Sequence, residues 1–292
     1  NGALWLQRIL AYCKQSIFTI IIWFVILFVI ALVVTKLLDW ESLISGSGIP
    51  QLEGELAGKI DAKWWRVLIA KFFGGFLANF SGLALGREGP SIQLGAMVGK
   101  GIGKVLKRGK TEERYLLTCG ASAGLAAAFH APLAGVMFAL EEVHKHFSAP
   151  LLISVMTSSI AADYLMSSIL GMAPVFSFNI HGTLPTQYYW MVIILGIILG
   201  LLGAFYNKAL LFVQSLYNHS KHLNNYTKLL IPFILAGILG FTVPQLLGSG
   251  DTLVDLLIEG KLTMSLILLL LAGKFLFAIT CFGSGAPGGI FF

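Results

Sequence analysis

The sequence predicts an all-α integral membrane protein, built as a bundle of tilted and broken transmembrane helices. Apolar residues make up 57% of the 292 positions and charged residues only 12%, a balance that is rare in soluble proteins. The mean hydropathy is +0.83. Three glycine-rich segments interrupt the apolar runs, at Gly46–Pro50, Gly86–Pro90 and Gly283–Phe291. Together these observations indicate helices that begin or end inside the bilayer.

The spanning segments follow one another along the chain. The clearest is Ile17–Val34, where 18 residues carry no charge, close to the roughly 20 that a spanning helix needs. Further apolar segments are Trp64–Phe80, Leu116–Leu140, Leu151–Leu170, Tyr188–Leu216, Leu229–Val243 and Leu262–Phe282. Within Leu116–Leu140, Pro132 and the nearby glycines predict two short helices that meet near Ala131. Glycines four residues apart predict close helix crossings, as at Gly95, Gly99, Gly103, Gly120 and Gly124.

Basic residues predict the orientation in the membrane. Six of them fall between positions 100 and 114, which places that loop on the cytoplasmic side: Lys100, Lys104, Lys107, Arg108, Lys110 and Arg114. Trp64 and Trp65 stand among Lys59, Lys63 and Arg66, a pattern typical of an interfacial anchor. The net charge of +6 follows from such loops. No basic patch interleaved with aromatic residues stands out, so no nucleic-acid partner is predicted.

The three cysteines indicate neither a disulfide framework nor a metal site. Cys13, Cys119 and Cys281 are widely separated, and two of them lie in apolar helical segments. We expect them to be small buried side chains, and we predict no metal and no cofactor.

Two halves of the chain share a pattern. Lys71 precedes Gly86 by 15 positions, and Lys274 precedes Gly289 by the same 15. Upstream, Gly46–Gly48 (GSG) corresponds to Gly248–Gly250 (GSG). Paired interrupted segments in two halves of a membrane protein point to a substrate site near the bilayer midplane. We therefore predict a first membrane repeat at 1–170 and the start of a second at 171–292.

The three breaks favour a particular kind of substrate. Each places a helix start, with unpaired backbone N–H groups, at membrane depth. Lipid cannot satisfy these groups, and helix N-termini attract negative charge. The sequence thus predicts a pore or carrier for an anion.

The three breaks also carry a resemblance to a known family. Gly46–Pro50 (GSGIP), Gly86–Pro90 (GREGP) and Gly288–Phe291 (GGIF) resemble, in order and spacing, the three anion-site signatures of the CLC chloride channel and transporter family. The similarity extends along the whole chain. It implies a CLC-type fold of two inverted repeats, a chloride pathway in each subunit of a homodimer, and a multi-pass protein of the plasma (inner) membrane of a bacterium.

The resemblance assigns roles to individual residues. Ser47 is expected to donate its hydroxyl to chloride, and backbone N–H groups around Gly48, Ile290 and Phe291 to complete the site. Supporting positions in the same signatures are Gly46, Ile49, Pro50, Arg87 and Gly89. Serine at position 47 favours chloride over nitrate or fluoride.

Three acidic residues are assigned by the same resemblance. Glu88 is the gate and proton acceptor: ionised, it occupies an outer anion site, and protonated, it moves aside. An acidic side chain inside a membrane is a functional candidate on physical grounds as well. Glu142 matches the internal proton-transfer glutamate of exchangers, which favours chloride/proton antiport. Glu53 matches an acid that supports the inner region.

Other readings stay open at this point. A passive chloride channel of the same family is the nearest alternative. An intramembrane enzyme, with Glu88 and Glu142 as acid and base and His130 assisting, is less favoured because no nucleophile or metal-ligand pattern accompanies them. We predict that the protein is not an enzyme. The chain starts at Asn1 and stops just after the third signature, so we expect a fragment with an unfinished second repeat.

Overall fold

The fold is helical throughout the part of the chain that the structure describes. The structure is a computed structural model and describes residues 2–14, 16–171, 185–220, 223–258 and 262–290. These residues form twelve α-helices: α1 (Gly2–Cys13), α2 (Ile17–Trp40), α3 (Ile49–Leu56), α4 (Trp64–Phe80), α5 (Glu88–Val105), α6 (Lys110–Phe129), α7 (Pro132–Phe138), α8 (Ala149–Leu170), α9 (Tyr189–His219), α10 (Asn225–Thr242), α11 (Asp251–Ile258) and α12 (Met264–Gly283). The predicted all-α class is confirmed.

Five of the helices are long and apolar enough to cross a membrane: α2, α8, α9 with the short turn before it, α10 and α12. Helix α4 has the predicted bounds, Trp64–Phe80. The predicted break in Leu116–Leu140 is also present. Helix α6 ends at Phe129, His130 takes a left-handed conformation with φ of 52°, and α7 begins at Pro132.

Glycine contacts bring α5 and α6 together more extensively than any other described helix pair. A Cβ atom on Gly95 would collide with the backbone oxygen of Gly120, and one on Gly120 would collide with that of Gly95. Gly124 meets the backbone of Ser91 in the same way. The close crossing predicted from the glycine spacing is therefore confirmed, and it fixes α5, whose first residue is Glu88.

The largest apolar core joins the two ends of the described chain. Leu27 and Val34 of α2 pack with Phe233 of α10, Cys281 of α12 and Leu85 of the loop before α5. All five residues are buried. This core holds the Gly86 segment beside the segment that follows α12.

Two lysines make matching contacts in the two halves. The Nζ atom of Lys71 in α4 donates to the carbonyl oxygens of Ile44 and Gly46, at 2.8 and 2.6 Å. The Nζ atom of Lys274 in α12 donates to those of Leu246 and Gly248, at 3.2 and 2.5 Å. The helices that carry and precede these contacts follow the same order, α2–α3–α4 and α10–α11–α12.

Candidate anion site

Backbone hydrogen bonds bring the three glycine-rich breaks together. Gly86 and Gly289 form an isolated antiparallel pair, with N···O distances of 2.9 and 2.7 Å. The N–H of Gly288 donates to the carbonyl oxygen of Gly46 at 3.0 Å. Segments that lie far apart in the sequence thus meet at one place in the fold.

The first break is a tight turn before α3. Gly46 and Gly48 have φ angles of 62° and 89°, a region that residues with a Cβ atom seldom adopt. Between them, Ser47 is only 8% exposed. Its Oγ accepts the N–H of Ile49 at 3.3 Å. Within the described residues its hydroxyl proton has no acceptor, so this buried group remains available as a donor.

Helix α3 begins directly after this turn. Ile49 is its first residue and Pro50 follows, a position where the missing N–H of proline costs nothing. Gly48 is the N-cap and supplies no capping side chain. The start of α3 therefore presents backbone N–H groups on the side where Ser47 lies.

The second break places the start of α5 against that turn. A Cβ atom on Gly89 would lie 2.6 Å from the backbone oxygen of Ser47, so only glycine permits this contact. Arg87 is exposed and is the N-cap of α5, and its carbonyl oxygen accepts the backbone N–H and the hydroxyl of Ser91. The N-termini of α3 and α5 consequently face each other across Ser47 and Gly89.

Glu88, the first residue of α5, is 1% exposed. Neither of its carboxylate oxygens has a hydrogen-bond partner among the described residues. A Cβ atom on Gly289 would lie 2.5 Å from Oε2, and one on Gly86 would collide with it. Burial of an ionised carboxylate without partners costs several kcal/mol, so this site favours a neutral carboxyl or one that can move.

Ile290 lies at the same place as Gly86 and Gly289. These residues border a cavity of about 10 Å³, roughly the space of one water molecule, together with Lys274, Phe282 and Tyr206. Tyr206 is not among the residues that the sequence analysis assigned to the site, since no motif surrounds it. Phe291 lies outside the described residues.

Glu142 stands apart from this cluster. It is exposed, on the π-helical turn Ala139–His144, and its carboxylate makes no hydrogen bond or ion pair in the described part of the chain. Beside it, Lys145 forms an ion pair with Glu53 of α3, with Nζ and Oε2 3.1 Å apart. The structure thus brings Glu53 next to the Glu142 turn and leaves Glu88 and Glu142 in separate places.

His130 pairs with Asp163 rather than with either glutamate. Its Nδ1 lies 3.2 Å from Oδ1 of Asp163 and 3.4 Å from the hydroxyl of Ser167, both in α8. The contact ties the end of α6 to α8, so His130 takes part in helix packing.

Lys100 is the main surprise among the charged residues. It was counted in a cytoplasmic loop, but it lies in α5 and is fully buried. Its Nζ bonds Glu55 Oε1, Asp61 Oδ1 at 2.7 Å and the carbonyl oxygen of Ala62 at 2.7 Å. Three acceptors satisfy all three ammonium protons. Ile92 and Ala96 precede Lys100 by eight and four residues on the same buried face of α5, an apolar spacing that could have revealed this burial.

Lys100 shifts the pKa of Asp61, its exposed partner. The hydrogen bond from Lys100 and the charge of its ammonium group lower the pKa of Asp61 below its ordinary value. Asp61 lies between α3 and α4, outside the spanning helices. The network connects the C-terminal end of α3 to α5, while the N-termini of the same two helices meet at Ser47.

No group of three or more metal-binding side chains occurs in the described residues. The chemistry of the site is that of a hydroxyl donor, helix N-termini and one buried carboxyl group. Such a set binds a small anion without a full positive charge, and a carboxylate can take the place of that anion.

Comparison with known proteins identifies the family. The family model described as voltage gated chloride channel matches residues 15–292. The H(+)/Cl(-) exchange transporter ClcA of Vibrio parahaemolyticus is 39% identical over 254 residues, which cover 85% of this chain and 54% of that relative. The chain therefore spans about half the length of this relative.

Solved structures agree with the fold. The crystal structure of a slow cyanobacterial Cl-/H+ antiporter superposes with a TM-score of 0.93 at 33% identity, covering 100% of this chain and 69% of that one. A eukaryotic CLC transporter has the same fold, with a TM-score of 0.78 at 22% identity over 99% of this chain and 52% of that one. This chain is an integral membrane protein, and it belongs to the voltage-gated chloride channel (CLC) family.

Proposed function

We propose that the protein exchanges chloride for protons. The observation that carries the proposal is the buried, unpartnered carboxyl group of Glu88, set between Gly86 and Gly289 and beside the Ser47 turn. A carboxylate in this position competes with an anion for the same helix N-termini. Protonation removes its charge and releases the place to chloride, so one side chain links the two ligands.

Chloride binding falls to the Ser47 turn in this proposal. The free hydroxyl proton of Ser47 and backbone N–H groups at Gly48, Ile290 and Phe291 are the donors, and the glycines allow the backbone to come close. The lysine beside this turn, Lys71, directs two of its three N–H donors to the carbonyl oxygens of Ile44 and Gly46 instead of to the ion. Binding stays weak enough for release, as transport requires.

Proton transfer from the other side falls to Glu142. Bound chloride repels the ionised form of Glu88, so anion entry favours its protonation, and the effect is reciprocal. Glu53 supports this route by holding Lys145, and with it the Glu142 turn, against α3. The names of the relatives, an exchange transporter and an antiporter, support coupled exchange over a passive channel.

The membrane location and the oligomeric state are proposed from the same family relationship. We place the protein in the inner membrane of a bacterium as a homodimer, with chloride and protons as its transported ligands. It uses no cofactor and is not an enzyme.

Flux measurements on full-length protein in liposomes test the proposal. Under a chloride gradient, an exchanger moves protons against their own gradient, whereas a channel carries chloride without moving protons. Glu88→Ala removes the shared acceptor, so we expect chloride flux to continue and proton movement to fall below detection.

Glu142→Gln is expected to abolish proton movement as well, and Glu141→Gln is the matched control, because it alters the exposed neighbour on the same turn. Proton pumping that persists in both Glu88→Ala and Glu142→Gln would refute the coupling. Chloride flux with no proton movement in the unaltered protein would identify a channel.

A further inference from the structure

Arg66, near the start of α4, is held between two tryptophans. Its Cζ atom lies 5.7 Å from the ring centroid of Trp40 and 5.3 Å from that of Trp65. The two rings meet edge to face, with centroids 5.9 Å apart. Both distances to Arg66 fall within the range of a cation–π interaction, so the two rings restrict the position of the guanidinium group.

The guanidinium group lacks the partners that its five N–H donors require. Its Nε atom is buried without a hydrogen bond, and none of its nitrogen atoms donates to another residue in the described part of the chain. An aromatic ring satisfies the charge of a guanidinium but not its in-plane donors. An oriented guanidinium with free donors matches the geometry of a phosphate or carboxylate group.

The position of Arg66 along α4 indicates that it lies near the surface of the membrane. Lys71, five residues further on, is fully buried beneath the Gly46 turn. At 1.5 Å per residue, Arg66 lies about 7.5 Å nearer the N-terminal end of α4 than Lys71 does. Trp40 and Trp65 are 41% and 44% exposed, as expected of side chains at the boundary between hydrocarbon and headgroups.

The charges around Arg66 favour an anion there. Lys59 and Lys63 precede it, both exposed, and neither forms an ion pair among the described residues. The nearest acid in the sequence, Asp61, is taken by Lys100. On the same side, Gly58 lies next to Arg114, and Gly101 of α5 packs on Trp64. This end of α4 therefore belongs to the basic face of the protein.

We propose that Arg66, clamped by Trp40 and Trp65 and flanked by Lys63, binds the phosphate group of an anionic phospholipid. Arg66 donates the N–H groups of its two Nη atoms to the phosphate oxygens, since its Nε atom is buried, while Lys59 and Lys63 attract the negative headgroup. The acyl chains lie along the exposed faces of the two indole rings. The proposal requires only that the protein is in a membrane and is independent of the chloride site.

Native mass spectrometry of the purified full-length protein tests it, with phosphatidylglycerol and phosphatidylcholine added in equal amounts. We expect phosphatidylglycerol to stay bound preferentially to the unaltered protein. Arg66→Gln should weaken its retention about fivefold, the effect of one basic charge near a headgroup. Arg66→Lys should restore only part of it, because an ammonium group keeps the charge but loses the stacked plane.

Arg8→Gln is the matched control. Arg8 lies 6.0 Å from the ring of a single tryptophan, Trp5, and is exposed. Unchanged phosphatidylglycerol retention in Arg66→Gln, or an equal loss in Arg8→Gln, would refute the site. If excess inorganic phosphate displaced the lipid, the site would be a site for free phosphate and the lipid proposal would be wrong. Thermal unfolding verifies that each variant is folded.

Discussion

The two glycine-serine-glycine turns share a scaffold and differ in one side chain. In both, a lysine from a later helix donates to two carbonyl oxygens of the turn, and an eight-residue helix follows. The glycines have similar positive φ angles, 62° and 89° in the first turn and 70° and 102° in the second. The first helix begins with Ile49 and the second with Asp251.

That difference decides what each serine can do. Ser249 donates its hydroxyl to Oδ2 of Asp251 at 3.0 Å, so a carboxylate of the chain itself occupies this donor. The hydroxyl of Ser47 has no such acceptor within the described residues, and it is buried. The same backbone therefore leaves a free hydroxyl donor in the first turn, where we propose the anion site, and a serine paired with Asp251 in the second.

Introducing an aspartate at position 49, as at position 251 in the second turn, gives the largest expected effect on chloride affinity. In Ile49→Asp, a carboxylate next to Ser47 takes its hydroxyl and repels chloride, so we expect chloride affinity to fall by about 100-fold or more. Isothermal titration calorimetry on the purified full-length protein measures it. Ile49→Asn, which has a similar shape and no charge, should lose less than about tenfold. Equal losses in the two variants would show that the charge plays no part.

Removal of each hydroxyl in turn gives the next largest effect. Ser47→Ala deletes a hydrogen bond to a charged ligand, worth about 1.5–3 kcal/mol, so chloride affinity should fall about 10- to 100-fold. Ser249→Ala should leave chloride affinity within about twofold, since its hydroxyl serves Asp251. The same calorimetric titration measures both variants. If Ser249→Ala weakened binding as much as Ser47→Ala, the two turns would not differ in the proposed way.

Much of this fold could be predicted from the sequence because its signals are local. The apolar run from Trp64 to Phe80, the proline at position 132 and the paired glycines each act through neighbouring backbone, and the structure agrees with all three. The joining of the breaks at Ser47, Glu88 and Ile290 was predicted from the resemblance. Its physical cause, hydrogen bonds between Gly46, Gly86, Gly288 and Gly289, connects distant segments that no local pattern reveals.

Side-chain partners were predicted less well for the same reason. Lys100 looks like part of a basic loop because its sequence neighbours are basic, but its acceptors come from residues 55–62, about 40 positions earlier. Ser47 and Ser249 differ in whether the hydroxyl donates to an acceptor within the protein. The Gly-Ser-Gly sequence that the two turns share does not reveal this difference. The assigned roles of Glu88 and Glu142 stay predictions.

Replacement of Lys71 and Lys274 tests whether the lysine contacts of the two turns serve only stability or also chloride binding. Among the described residues, Lys71→Met leaves the carbonyl oxygen of Ile44 without a donor, while that of Gly46 keeps the N–H of Gly288. Lys274→Met leaves the carbonyl oxygens of both Leu246 and Gly248 without one, and each such oxygen costs about 1–3 kcal/mol. Both should therefore lower the temperature of thermal unfolding. Only Lys71→Met should also weaken chloride binding, by about fivefold, because it loosens the turn that holds Ser47. A similar loss of affinity in Lys274→Met would mean that Lys274, which borders the cavity beside Ile290, or the turn that it holds contributes to the anion site.

The smallest expected effect concerns the far end of α3, where Asp61 meets Lys100. Since Lys100 lowers the pKa of Asp61 in the folded protein, the ionised carboxylate stabilises the fold above its ordinary pKa, and this contribution is lost as the pH falls through the lowered value. Asp61 is exposed, so solvent screens the pair.

We therefore expect Asp61→Asn to lower the thermal unfolding temperature by about 2 °C or less at pH 7, and this difference to shrink as the pH falls below the ordinary pKa of an aspartate. Glu112→Gln, which alters an exposed ion pair between Arg108 and Glu112, is the control for general surface charge. A loss of stability in Asp61→Asn that stayed constant from pH 7 to pH 3 would mean that Asp61 acts through packing and not through its charge. Because the proposed chloride site lies at the opposite end of α3, chloride affinity should be unchanged in this variant at pH 7.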